Sequence, residues 1–417
     1  MMNCFPAVPH PDRQIPWSEY RLERLTIKRS LPLIFLLVSL GTSADDLKQF
    51  QKEQAAEQTR FQTVQQEELK HHQNKLKGLS HTEFEQWRKQ REKDFTDFRL
   101  QIEKEWGRFT APSKKQWVEY SADRQSVAAV DFEKGVLQVE VLKLPQENTN
   151  IVSQKVARAV IKALSSRGSD QNVPLEDTKQ SQILHEPLLS GQLPEFSARE
   201  ADSATIADQA ARLLQTALPE TVGAGRYQSL VFQFPLVPNH IQIRMKKFLP
   251  LVQQYCLHYG IDAAHVLATI HAESFFNPLA FSSAGAVGLM QLVPDKGGRE
   301  ACRFVYGKDM IPSSRILYDP AQNIQLGCAY IYLLANQYFS GIKNKTKNLY
   351  CTIAGYNTGP ANVGRTFTAQ NDPDNAVKII NEMDSSEEVF SFLLRHLPHR
   401  ETRKYLKSVT DKMDLYQ

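Results

Sequence analysis

The chain has 417 residues, 41% of them hydrophobic and 23% charged, with 50 Lys and Arg against 46 Asp and Glu. This is ordinary composition for folded protein at a length beyond one usual domain, so it excludes general disorder and points to two folded domains behind a leader. The formal net charge of +4 leaves 45 basic and 43 acidic residues once residues 1–44 are removed, and so small an excess excludes nucleic acid as an expected partner.

Residues 1–44 read as an export signal. Arg21, Arg24, Lys28 and Arg29 precede the apolar run LPLIFLLVSL, and Gly41 to Ala44 follow as small or polar residues before Asp45 and Asp46. The run is too short to cross a bilayer comfortably as a permanent helix. Cleavage after Ala44 is the simplest expectation, although the Pro-rich stretch ahead of the basic residues leaves the true start open.

From Asp46 to about Thr110 the chain is rich in Gln, Glu, Lys and Arg, with apolar residues such as Phe61 and Val64, Phe84 and Trp87, and Phe95, Phe98 and Ile102 spaced loosely three to four apart. This predicts charged helices with a modest apolar seam, broken near Gly78-Leu79-Ser80. His71 and His72 are adjacent on such a helix and do not face one ligand.

Alternation then takes over. Residues 117–142 predict three strands with turns at Asp123-Arg124 and at Glu133-Lys134-Gly135, and residues 227–234 a further strand. Residues 150–165 and 200–217 have helical period, and 166–199 read as loop. The expectation is an α+β domain over 45–235, followed by a mainly helical domain over 236–417. In the latter, helices are predicted over 241–259, 262–275, 297–305, 320–338, 347–356, 387–395 and 400–412.

Glu273 is the singular residue of the second domain. Asp262 is a candidate N-cap, and Val266, Leu267 and Ile270 define an apolar stripe on which Glu273 falls before Asn277-Pro278 ends the helix. Burial and the negative end of the helix would both raise its pKa, making a carboxylic acid able to donate a proton near neutral pH. A surface glutamate in a last helical turn is the plainer alternative. His271 lies two positions away and does not share its face.

Cys256, Cys302, Cys328 and Cys351 show no CxxC pair and no histidine at ligand spacing, so no metal is expected, and no organic cofactor is implied. Buried free thiols suit their apolar contexts.

Four motifs occur in order: ESFFNP from Glu273, SSAGAVGLMQLVP from Ser282, AGYNTGP at 354–360 and ETRKY at 401–405. In content and order they resemble the lysozyme-like domain of family 1 lytic transglycosylases, over about residues 236–417. The segment 46–142 resembles the N-terminal domain of the membrane-bound murein transglycosylase C subgroup. The resemblance implies cleavage of peptidoglycan glycan strands with one essential acid. Glu273 would protonate the oxygen between N-acetylmuramic acid and N-acetylglucosamine, then as carboxylate deprotonate the C6 hydroxyl that closes onto C1, leaving a 1,6-anhydro end.

Matched residue by residue, the resemblance makes Tyr356 an orienting hydrogen-bond partner of the acid and puts Ser282, Gln291, Asn357, Tyr405 and Glu401 at the bound glycan. Ser282 reads equally as a turn hydroxyl and Glu401 at least equally as a salt-bridge partner of Arg400, Arg403 or Lys404, while a core tyrosine is the lesser alternative for Tyr356. The subgroup carries an acylated lipobox cysteine. Positions 36–46 hold no Cys and Cys4 lies upstream of the apolar run, so the expectation is a periplasmic enzyme without a lipid anchor, or one held by an uncleaved leader.

Two other readings remain open at this stage. A hydrolytic muramidase would need Asp295, Glu300 or Asp319 across from Glu273. A non-catalytic glycan-binding scaffold would use the N-terminal region to engage cell-envelope proteins.

Overall fold

The computed structural model describes residues 79–168, 184, 186–194, 196, 203–223, 228–368 and 373–417. The leader, the helices expected over 46–78, His71-His72 and most of the loop expected over 166–199 lie outside the described residues. All described residues belong to one compact unit, Lys77–Gln417.

The first helix, α1 (His81–Trp106), starts at a reciprocal cap in which the Ser80 hydroxyl accepts from Glu83 N–H and the Glu83 carboxylate accepts from Ser80 N–H. It ends at Gly107, whose left-handed φ of 72° closes the last turn. Only Phe84, Ile102 and Trp106 are buried along it, as expected of a charged helix held by a few anchors.

Strands β1 (Gln116–Tyr120), β2 (Ser126–Asp131) and β3 (Val136–Leu142) form an antiparallel meander. Its turns fall where the sequence places them. Asp131 Oδ1 accepts from Glu133 and Lys134 N–H, and Gly135 takes a φ of 68°. Helices α2 (Thr149–Ser165) and α3 (Ser203–Thr216) follow, then β4 (Glu220–Val222) and β5 (Ser229–Pro235). The sheet order is β1-β2-β3-β5-β4, so β5 lies inside the sheet and pairs with both β3 and the short β4. The three-residue β4 has no period of its own to be seen in sequence.

Alternation sends Val130, Leu137 and Val139 to one face, against Val156 and Val160 of α2. It sends Val118, Tyr120 and Val127 to the other, against Ile102 and Trp106 of α1. Both faces are therefore covered, which explains the buried runs along β1 and β2.

The remainder is helical: α4 (His240–Tyr259), α5 (Ala263–Ser274), α6 (Arg299–Tyr306), α7 (Ser314–Tyr318), α8 (Pro320–Leu333), α9 (Lys345–Thr358), α10 (Pro360–Thr368), α11 (Pro373–Glu382), α12 (Ser386–His396) and α13 (Arg400–Met413). Wider turns precede α6 at Pro294–Gly298 and extend α8 through Leu334–Tyr338. Helices α7, α10 and α11 were not expected; two begin at a proline, which serves at a first helical position as readily as it breaks an interior one. A second core gathers Phe248, Val252, Val266, Ile270, Phe276, Leu289, Met290 and Ile324.

Candidate active site

The Asp262 carboxylate caps α5 through Ala264 N–H at 2.9 Å. Ten of the helix's twelve residues are buried, including His265, Thr269 and His271. The apolar stripe expected from spacing is thus a helix enclosed on nearly every side. It ends at Ser274, one residue from the expected end: Phe275 and Phe276 both adopt left-handed backbone, with φ of 51° and 58°, and Phe275 N–H closes the last turn onto the His271 carbonyl. Left-handed phenylalanines cost on the order of 1–3 kcal/mol each and persist only where packing enforces them.

Packing enforces them from two sides. Phe275 enters the core of the sheet region, whereas Phe276 enters the helical core. The Arg244 guanidinium of α4, 2% exposed, donates to the Phe275 carbonyl at 3.0 Å, to Gln192 Oε1 at 2.6 Å and to the Phe132 carbonyl at 3.2 Å. Burial pushes its pKa down to about 9, and beside it burial and this charge hold His240 down to about 4, so the imidazole is neutral and accepts from Arg244 at 3.0 Å.

Glu273 is 4% exposed. Removal from water pushes its pKa up, while the Lys114 ammonium pulls it down through charge and a hydrogen bond of 3.3 Å. The net direction is upward. The same ammonium lies 3.7 Å from Glu401, which is 76% exposed at its side chain. Glu401 is thus tied to Lys114 rather than to Arg400, Arg403 or Lys404.

The Tyr405 hydroxyl is buried between Glu273 and Thr269, close enough to interact with both, yet it completes no well-formed hydrogen bond. Tyr356, expected to bond the acid, instead donates to the Met290 carbonyl at 2.8 Å, though it lies near enough to feel the Glu273 charge. Asn357 Oδ1 accepts from the Thr402 hydroxyl at 2.7 Å, joining α9 to α13.

The loop after α5 is self-bound. Ser282 bonds Ala286 through backbone and hydroxyl, and Gln291, with φ of 49°, donates through its side chain to the carbonyls of Ala280 and Gly288. Gln291 Oε1 is buried without a partner. Neither side chain hydrogen-bonds Glu273; both shape the loop beside it. Ser274 anchors that loop to α5 by donating to Leu289 O at 2.7 Å. Asn323 of α8 accepts from Met290 N–H at 2.7 Å and donates to Val287 O and Leu317 O.

Lys114, Arg244 and Asn323 were not anticipated. Each sits in a stretch with no motif, and its importance arises only when distant segments meet. His271 turns away from Glu273 to Tyr416, with its Nδ1 2.8 Å from the hydroxyl. Among the described residues no group of three or more His, Cys, Asp and Glu could hold a metal ion. Cys256, Cys302, Cys328 and Cys351 stand as buried free thiols.

Residues 250–379 match the Transglycosylase SLT domain, and residues 70–247 match the Membrane-bound lytic murein transglycosylase C, N-terminal domain. A helical lysozyme-like domain carrying this buried glutamate therefore belongs to the lytic transglycosylase class of enzymes. The membrane-bound lytic murein transglycosylase C of Haemophilus influenzae strain 86-028NP is 34% identical over 67% of this chain and 75% of its own length. That of Pectobacterium atrosepticum is 37% identical over 70% and 80%. The chain belongs to this family, the membrane-bound lytic murein transglycosylase C proteins. Among solved structures, the 70 kDa soluble lytic transglycosylase of Escherichia coli aligns with 42% of this chain and 25% of its own, at 23% identity and a TM-score of 0.31. The lytic transglycosylase Slt of Pseudomonas aeruginosa aligns with 40% and 23%, at 24% identity and a TM-score of 0.31.

Proposed function

We propose that this enzyme cleaves the β-1,4 bond between N-acetylmuramic acid and N-acetylglucosamine in peptidoglycan without water, leaving a 1,6-anhydro end. Glu273 acts first as the acid and then as the base. The observation that carries this reading is the environment of Glu273: a carboxyl made reluctant to ionise by burial, whose one carboxylate neighbour tied to it among the described residues, Glu401, is held by the same Lys114 ammonium.

Ordinary glycosidases need that second carboxylate. Among the described residues none of Asp295, Glu300 and Asp319 makes a hydrogen bond or ion pair to Glu273 or Lys114; Asp319 Oδ1 caps α8 through Gln322 N–H, and Glu300 accepts from the Tyr338 hydroxyl. Among the described residues only Glu401 is tied to Glu273, and it is tied through Lys114. A mechanism in which the sugar's own C6 hydroxyl replaces water fits this arrangement. Membership of an enzyme family leaves no place for a purely scaffolding role.

In this reading Tyr405 is the donor that steadies the Glu273 carboxylate once the proton has left. Tyr356 acts one step away by fixing the Met290 carbonyl and so the 288–291 turn. Ser282 and Gln291 shape the wall against which the glycan lies, through the hydrogen bonds that fix the loop after α5. Asn357 and Glu401 border the same wall. Residues 1–44 direct export to the periplasm, and the chain divides into domains 45–235 and 236–417. The two family matches meet between residues 247 and 250, within α4.

Mass spectrometry of products from purified peptidoglycan tests the chemistry. Wild-type products one water lighter than hydrolytic ones, absent with Glu273→Gln, are expected. Ordinary reducing ends would overturn the reading in favour of hydrolysis.

A further inference from the structure

Lys114 belongs to the upstream region, 159 positions from the residue it touches. It lies between α1 and β1 on a bend closed twice over: Ser113 N–H donates to the Gln116 carbonyl at 2.9 Å, and Gln116 N–H donates back to Ser113 at 3.3 Å. Lys115 N–H donates to the Ser113 hydroxyl, and Phe132 N–H to the Lys115 carbonyl. The Lys115 ammonium sits 4.6 Å from the centre of the Phe275 ring, two residues beyond the acid. Arg244 then ties Phe275 to Phe132 of the sheet region. The bend that carries Lys114 is thus registered against the end of α5 by three separate contacts.

We propose that Lys114 is a positioning residue for Glu273, supplied in cis by the N-terminal region, which holds the acid's orientation and sets how readily it releases its proton. The role rests on the assignment of Glu273 as the acid. The groups facing the carboxyl are Lys114 from the bend, Tyr405 and Glu401 from α13, and Tyr356 from α9. On its own helix His271 is turned to Tyr416, and from α4 Arg244 is spent on the Phe275 carbonyl. Among the described residues Lys114 is therefore the cation in direct contact with the acid, against the opposing charge of Glu401.

A cation at this distance favours the ionised acid. It makes a buried carboxyl a stronger proton donor and then stabilises the carboxylate that must act as base. At 33% side-chain exposure Lys114 also remains open to solvent, so its replacement leaves the core intact. The N-terminal region on this view is part of the catalytic apparatus rather than a tether.

The test compares full-length wild type, Lys114→Met, Lys114→Arg and Glu401→Gln. The Glu273 carboxyl is titrated by infrared difference spectroscopy against Glu273→Gln, and the pH profile of kcat/KM is recorded in parallel. In Lys114→Met the titration midpoint and the alkaline limb should both rise by about one pH unit or more. Lys114→Arg should restore them, and Glu401→Gln should move both the other way. An unchanged midpoint in Lys114→Met, with melting temperature preserved, overturns the proposal. A shifted midpoint with an unshifted limb supports the linkage of Lys114 to Glu273 while overturning Glu273 as the rate-governing acid, so the two readings fail separately.

Discussion

Phe275 and Phe276 are neighbours in the chain and belong to different cores, the first to the sheet region and the second to the helical one. The backbone reverses through two consecutive left-handed residues to part them. The acid two positions upstream is thereby held at the joint between the regions, where Arg244 fixes the Phe275 carbonyl.

Replacing Arg244 by Met should destabilise the protein by about 3 kcal/mol or more, because the carbonyls of Phe275 and Phe132 and the Gln192 oxygen lose a buried donor together. Lysine has fewer donors in a different geometry and should recover only part of the loss. Thermal denaturation at neutral pH measures both, and a Met variant melting with wild type would show that the joint does not depend on this residue.

Gly288 has φ of 79°, and a Cβ there would lie 2.2 Å from the Leu317 carbonyl and 2.3 Å from Asn323 Nδ2. Both neighbours are fixed by their own hydrogen bond. Gly288→Ala should therefore lower stability by about 2–4 kcal/mol and reduce activity on peptidoglycan, since the turn that carries Met290 and Gln291 must shift. Wild-type melting temperature and turnover in this variant would count against a tight turn.

The raised pKa of Glu273 has a definite sign in stability. Above the ordinary carboxyl value of 4.5 the unfolded chain ionises this group more readily than the folded one, so stability is lost as pH rises towards the folded pKa. Glu273→Gln removes the penalty. It should melt about 2–4 °C above wild type at pH 8 and little above it at pH 4.5. Equal melting temperatures at every pH would mean that the acid is not held out of water.

The buried histidines act in the opposite sense. Burial holds His265 and His271 down to about 4, the charge of Lys412 adding to the effect at His271, and His240 is held to the same value by burial and Arg244. Each contributes stability that is complete above the ordinary imidazole value of 6.5 and lost as pH falls towards 4. Three groups outweigh the one carboxyl, so the melting temperature should fall by on the order of 5 °C between pH 7 and pH 4.5. A flat profile over that interval would sink the argument.

Much of this site could be read from local pattern. Asp262, Val266, Ile270 and Glu273 mark a helix with an acid on it, and the alternation over 117–142 marks the meander. Local pattern placed the end of α5 within one residue but not its form, because the left-handed turn through Phe275 and Phe276 is imposed by two cores that no window of sequence contains. The Tyr356 hydroxyl was assigned to the acid but goes to Met290 O, since a nearby carbonyl in a left-handed turn is an acceptor that residue identities do not reveal. Lys114 is one lysine among many until the bend at Ser113 and Gln116 brings it to Glu273.

The position of β5 bears on how the chain assembles. Ser229 and Glu140, hydrogen-bonded across β3 and β5, are 89 residues apart, so the sheet cannot close until a late segment arrives, and loop closure of that length is slow. The strand leads within a few residues into α4 and Arg244. Completing the sheet and docking it on the helical region are consequently one event, and the two regions are expected to unfold in a single transition instead of as independent modules.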